Sequence, residues 1–190
     1  KKKESTAYQA KNPVLYDIIE MLLKNNIMQR DAIRFGNPNK IYTPLTYSVH
    51  EHDLKLFKLL LSNNPHLADA PHNEATVRYL SEDDFSEKTP LRMAINVKSR
   101  KMYDYIMSLC PDLLLKEIGE VGYIMFNKSS YSKFVQHVLS TIPFEQRNLL
   151  FQAYRAQRGN EVVSDALRND SLCMASTLLK FGANLPTATD

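Results

Sequence analysis

A chain of 190 residues, 44% hydrophobic and 24% charged, has the composition of an ordinary folded domain and excludes the disordered and collagen-like classes. Its formal charge of +3 equals the contribution of Lys1, Lys2 and Lys3, so the body is close to neutral, which argues mildly against a nucleic-acid partner. Two cysteines, Cys110 and Cys173, are too few for a disulfide scaffold and read as reduced thiols, and no stretch approaches the ~20 apolar residues that span a bilayer.

In chain order, Ala7, Ala10, Ile18, Ile19, Leu22 and Leu23 recur at helical spacing and predict a first pair of helices. A sharper signal follows at Thr43-Pro44-Leu45. Thr is a helix N-cap, and Pro at the first helical position loses nothing by its missing N–H and fixed φ. Ser48 lies on the same face as Leu45 and is small enough for a second helix to approach. After a break at His52-Asp53, Leu56, Phe57, Leu60 and Leu61 resume the period. The same arrangement recurs in Thr89-Pro90-Leu91, Ala94, the break at Lys98-Ser99, and Met102, Tyr103, Ile106 and Met107. Two antiparallel helix pairs are therefore expected.

Between these copies, residues 66 to 87 form an insertion long for a compact fold, which makes it the expected place for partner-specific contact. Further on, Tyr123, Phe126, Phe134, Val135, Val138 and Leu139 fit the template more loosely. Residues 144 to 159 predict an extra helix, Phe144 to Arg158, with Leu149, Leu150 and Tyr154 on one face. A last copy runs through Val163, Ala166, Met174, Leu178 and Leu179 to Gly182, a helix stop. With Ala10, Ser48, Ala94, Phe126 and Ala166 as the small-residue marker, the spacings are 38, 46, 32 and 40 residues. The helices repeat while the connections vary. One domain over 1–190 is expected, in units of roughly 4–37, 38–83, 84–116, 117–155 and 156–190, as a piece of a longer protein.

Helix pairs opened by Thr-Pro-Leu-x-x-Ala and closed by an apolar pair before Gly-Ala resemble the ankyrin repeat, whose period is about 33 residues. The resemblance covers nearly the whole chain. It is strongest at Thr43-Pro44-Leu45, Thr89 to Ile95, and Leu178-Leu179-Lys180-Phe181-Gly182-Ala183-Asn184, with Asp84 matching the Asp that opens a unit. The units have drifted: the usual His after Thr-Pro-Leu is Thr46 or Arg92, and the Gly-Ala stop becomes Asn64-Pro65, Cys110-Pro111 and Ile142-Pro143. The resemblance implies an all-α solenoid of about five antiparallel helix pairs with long irregular loops. Drifted arrays of this kind are similar to those of secreted effectors of intracellular bacteria and of poxvirus proteins.

The resemblance also implies a concave partner-binding face built from the fingers and the first helix of each pair. The matching positions are Asn39, Lys40, Tyr42, His50 and Glu51 in the second unit, and Phe85, Ser86, Lys88, Asn96 and Val97 in the third. In the last two units they are Lys128, Ser129, Arg158, Asn160, Arg168 and Asn169. Tyr42 and the arginines are of the residue types that dominate binding hot spots.

Catalytic chemistry has no comparable signal. His50, His52, His66, His72 and His137 fit no metal-ligand spacing, and no metal or cofactor is expected. Cys110 stands at a helix end with nothing to orient a base, and Cys173 is read as core packing. Gly119 and Gly122 lack the context of a phosphate loop, and Glu82, Asp83, Asp84 and Glu87 read as a solvated acidic finger. The expected function is binding of a partner protein by a chain monomeric on its own, with no enzyme activity. The expected setting is a reducing compartment such as the cytosol, or the host cytosol for a secreted effector. Two alternatives remain. One is electrostatic docking to nucleic acid or anionic membrane through Lys1 to Lys3, Lys11, Lys40, Arg92, Arg100, Lys101, Arg155, Arg158 and Arg168; the other is service as the targeting arm of a separate catalytic domain.

Overall fold

The computed structural model describes residues 13–24, 33–34, 41–62, 89–127 and 129–185. The 66–87 insertion, His66, His72 and the acidic cluster lie outside them. The chain divides into two compact units, one of Lys1–Met93 with Ser108–Cys110 and one of Ala94–Met107 with Pro111–Asp190. Apart from one short ladder, the described elements are helical, as the composition and periodicity predict.

In the first unit, α1 (Pro13–Lys24) packs on α3 (Leu54–Ser62), and α3 on α2 (Pro44–His50). Strands β1 (Ile33–Arg34) and β2 (Ile41–Tyr42) pair antiparallel just before α2, with Ile33 opposite Tyr42. Thr43 caps α2 as the sequence predicts. The Thr46 N–H donates to its Oγ1 at 3.2 Å, and the Thr43 N–H donates back to Thr46 Oγ1 at 3.0 Å, closing a capping box. Thr46, standing where the resemblance expects His, thus supplies a local substitute for the missing bonds. Asp53 caps α3 by accepting the Leu56 N–H at 2.9 Å, and the Tyr16 hydroxyl donates to its other oxygen at 2.6 Å, tying α1 to that cap.

The second unit contains α5 (Arg100–Leu109), α6 (Leu113–Lys116), α7 (Ile118–Phe126), a 3-10 turn (Ser129–Tyr131), α8 (Ser132–Thr141), α9 (Phe144–Arg158), α10 (Val162–Arg168) and α11 (Leu172–Lys180). Helix α4 (Pro90–Asn96) runs across the boundary between the two units. Helix α9 is the extra helix expected at Phe144 to Arg158, and it packs on α7. A Cβ on Gly122 would come 3.4 Å from the Leu150 carbonyl oxygen, so this glycine is what lets the two helices approach closely.

Three helix pairs share one turn. Helices α2, α4 and α10 each have seven residues, and the residue two places past the end of each has a positive φ: His52 at 59°, Lys98 at 58° and Asp170 at 52°. In each turn that residue's N–H reaches back to Val49, Ile95 or Leu167, and the next N–H reaches back to Ser48, Ala94 or Ala166, all at 2.8–3.0 Å. These paired bonds are the Schellman motif, which satisfies the carbonyls a helix end leaves over. Ser48, Ala94 and Ala166 are the small residues that the periodicity singled out, and all three are buried.

Four expectations are corrected. Phe126, placed at the small-residue position of the fourth unit, ends α7 and is buried, its ring 5.7 Å from Phe151 and 5.6 Å from Tyr154. The interface with α9 needs a large side chain there, and a 3-10 turn replaces the shared turn. Leu149 is exposed, and Leu150, Phe151 and Tyr154 form the buried face of α9. Leu179 is 40% exposed because no described element covers that side of α11. Cys173, expected in the core, is exposed, while Cys110 is buried.

Candidate functional site

The corner where α9 hands over to α10 gathers three of the residues that the sequence assigns to partner binding. Arg155 and Arg158 occupy the last turn of α9, where a positive charge favours the helix dipole, and Gly159 at φ 75° turns the chain with its N–H on the Arg155 carbonyl at 2.8 Å. Glu161 and Asp165 then enter the interior, 6% and 7% exposed. A buried carboxylate is costly without partners, and both acids have them. Arg155 Nη1 lies 2.8 Å from Glu161 Oε1. Asp165 Oδ2 accepts the Tyr154 hydroxyl at 2.8 Å and has Arg158 Nε at 3.9 Å, while Oδ1 has Asn160 Nδ2 at 3.3 Å and Arg168 Nη1 at 3.4 Å.

This geometry orients the arginines. The carboxylate lies within 4 Å of one nitrogen of each guanidinium, and the Arg158 and Arg168 side chains are 41% and 53% exposed, which leaves donors open to solvent. Arg158 also lies over the Tyr123 ring, 5.7 Å from its centroid. Burial and the bonded, charged Asp165 push the Tyr154 hydroxyl up to about 12, with Arg158 opposing, so it stays a donor. The outward donors suit recognition of carboxylates or polar backbone on a partner. Sequence reasoning missed Asp165, Glu161 and Tyr154 as the anchors. The available signal was Asp165 itself, an acid at the place taken by Met93 in the third unit, with Arg168 one helical turn further on.

His50, Asn96 and Arg168 each end the first helix of their pair and stand two residues before the left-handed turn residue, so the structure gives them one position in three pairs. His50 Nδ1 lies 3.0 Å from Glu51 Oε1, and the Asn96 carbonyl accepts the Tyr131 hydroxyl at 2.6 Å. Asn169 is exposed and Val97 half-buried. Tyr42 lies in β2, with its side chain outside the described residues, and Ser129 opens the 3-10 turn. Asn39, Lys40, Phe85, Ser86, Lys88 and Lys128 lie outside the described residues.

His137 is tied to Asp104 at 2.7 Å, edge-on to the Tyr103 ring 6.2 Å away, which joins α5 to α8. Among the described residues no three of His, Cys, Asp and Glu gather as metal ligands would, and no helix is long and apolar enough to cross a membrane. No protein-family model matches the chain, and searches of curated proteins and of solved structures found no match either.

Proposed function

We propose that the chain is an ankyrin-like stack that works as a protein-interaction module, binding a partner through the C-terminal ends of its first helices, where His50 and Asn96 are half-buried and Arg168 is exposed, and the fingers beside them, without catalysis. The observation that carries this reading is the shared turn. Three seven-residue helices end in the same pair of backbone bonds and present His50, Asn96 and Arg168 at one position. Repeated units that present variable side chains on a constant frame are how solenoid proteins build extended binding surfaces. Within the second unit, the corner around Asp165 holds a pair of arginines, and Arg is a frequent hot-spot residue.

The test is affinity capture from a cell lysate on immobilised chain 1–190, at physiological and at high salt, beside a His50→Ala/Asn96→Ala/Arg168→Ala variant of unchanged helicity. One protein retained at near-stoichiometric yield at both salts, and lost in the variant, is the expected result. Capture only of nucleic acid or lipid that high salt releases would transfer the function to electrostatic docking.

A further inference from the structure

The outer side of α11 is an apolar stripe. Leu172 is 74% and Leu179 40% exposed, and Ser176 lies exposed between them at the spacing of one helical face. Aligned on the apolar pair that closes each unit, Leu179 takes the place of Leu61 and Leu139, which are 9% and 0% exposed. Helix α8, which carries Leu139, is packed against by α11. At the corresponding place on α11 the leucine stays in solvent.

We propose that this stripe is the contact between two copies of the chain, with α11 of each lying antiparallel against α11 of the other. The sequence of the helix is self-complementary in a single register. With Ser176 of both copies at the crossing point, where a small side chain lets the backbones approach, Leu172 of one copy lies beside Leu179 of the other. The same register brings Asp170, on the turn that leads into the helix, to Lys180 at the far end of its mate. Both are exposed, and among the described residues neither has an ion pair within its own chain. Apolar centre and charged ends thus match at once, and a two-fold contact of this kind closes on itself. This goes beyond the partner-binding face proposed above, and it departs from the monomer expected from the sequence. The contact is one helix wide, smaller than the ~1,200–2,000 Å² of a stable interface, so the dimer is weak and reversible.

Sedimentation equilibrium of the full chain over a wide concentration range tests it. A concentration-dependent dimer is expected, with Leu172→Asp weakening it roughly tenfold or more, because the leucine is lost from both sides of the contact. Asp170→Lys weakens it a few-fold by placing like charges together, and adding Lys180→Asp restores it. Lys98 already occupies the same turn position in the third unit, so a lysine there keeps the turn. In a Cys173→Ser background, Ser176→Cys forms a disulfide dimer on mild oxidation. Leu172→Ser, equally exposed, stands in should the Asp variant lose helicity. A monomer at every concentration overturns the proposal, as does a dimer indifferent to Leu172, to the charge exchange or to oxidation at position 176.

Discussion

Asp165 shows how one side chain organises a surface. It stands at a helix position where the third unit carries the buried Met93, and its carboxylate accepts from Tyr154 while facing Asn160 and two arginines. Removing the carboxylate leaves the buried Tyr154 hydroxyl without its acceptor, so Asp165→Ala is expected to cost about 1–3 kcal/mol by urea unfolding, with Asp165→Asn costing less because it keeps an acceptor. The pH dependence follows from the same bond. The hydroxyls of Tyr16, Tyr103 and Tyr154 are each raised from 10.0 to about 12, in every case first by burial. A raised folded value means that the neutral form is favoured in the native state. The resulting stability is fully present below pH ~10 and is lost as the pH climbs toward 12. Phenolate absorbance should therefore show these three tyrosines titrating late, together with loss of helicity, and the Asp165→Asn variant should release Tyr154 earlier. Late titration unchanged in that variant would separate Tyr154 from Asp165.

At the scale of elements, the shared turn places a residue with a side chain in the left-handed region three times, although glycine occupies that conformation at no steric cost. His52 carries a second penalty. Burial, and then the charge of His50, lower its pKa below 6.5 against the opposing pull of Glu51. A lowered folded value means that the native state resists protonation, so stability falls as pH drops through 6.5. His52→Gly is expected to stabilise by about 0.5–1 kcal/mol at pH 8 through the turn alone, and by more at pH 5, where the histidine penalty also disappears. Equal gains at both pH values would leave the backbone as the whole effect. Caps and turns of this kind were legible in the sequence because they depend on a few neighbouring residues, as the Thr-Pro-Leu starts, the breaks at His52 and Lys98 and the stop at Gly182 show. Coverage was not legible. Periodicity puts Leu179 and Cys173 on recognisable faces of a helix, but whether anything lies over those faces depends on tertiary neighbours that one sequence does not contain. Phe126 fails for the same reason, since its ring answers to α9, an element outside the repeat.

For the whole molecule, the boundary between the compact units falls inside α4 and near the end of α5, so the second unit draws on residues of the α4–α5 pair. Its ties to that pair are numerous. The Tyr131 hydroxyl donates to the Asn96 carbonyl at 2.6 Å, Lys98 Nζ lies 3.1 Å from Ser130 Oγ, and Arg100 Nη2 donates to the Lys133 carbonyl at 2.9 Å. Tyr103 meets Phe134 edge-on at 6.0 Å and is, like Met102 and Ile106, almost wholly buried. Each such side chain is worth about 1.5–3 kcal/mol, so three of them approach the ~5–15 kcal/mol that holds a typical domain together. A fragment of residues 89–190, which keeps the Thr89 cap, α4 and α5, is therefore expected to melt cooperatively by circular dichroism. A fragment of residues 111–190, which keeps every later helix but lacks these contacts, is expected to lose helicity gradually and at lower temperature. Equal melting of the two fragments would mean that α7 to α11 hold together without the α4–α5 pair, and that the pair stacks on a core already complete.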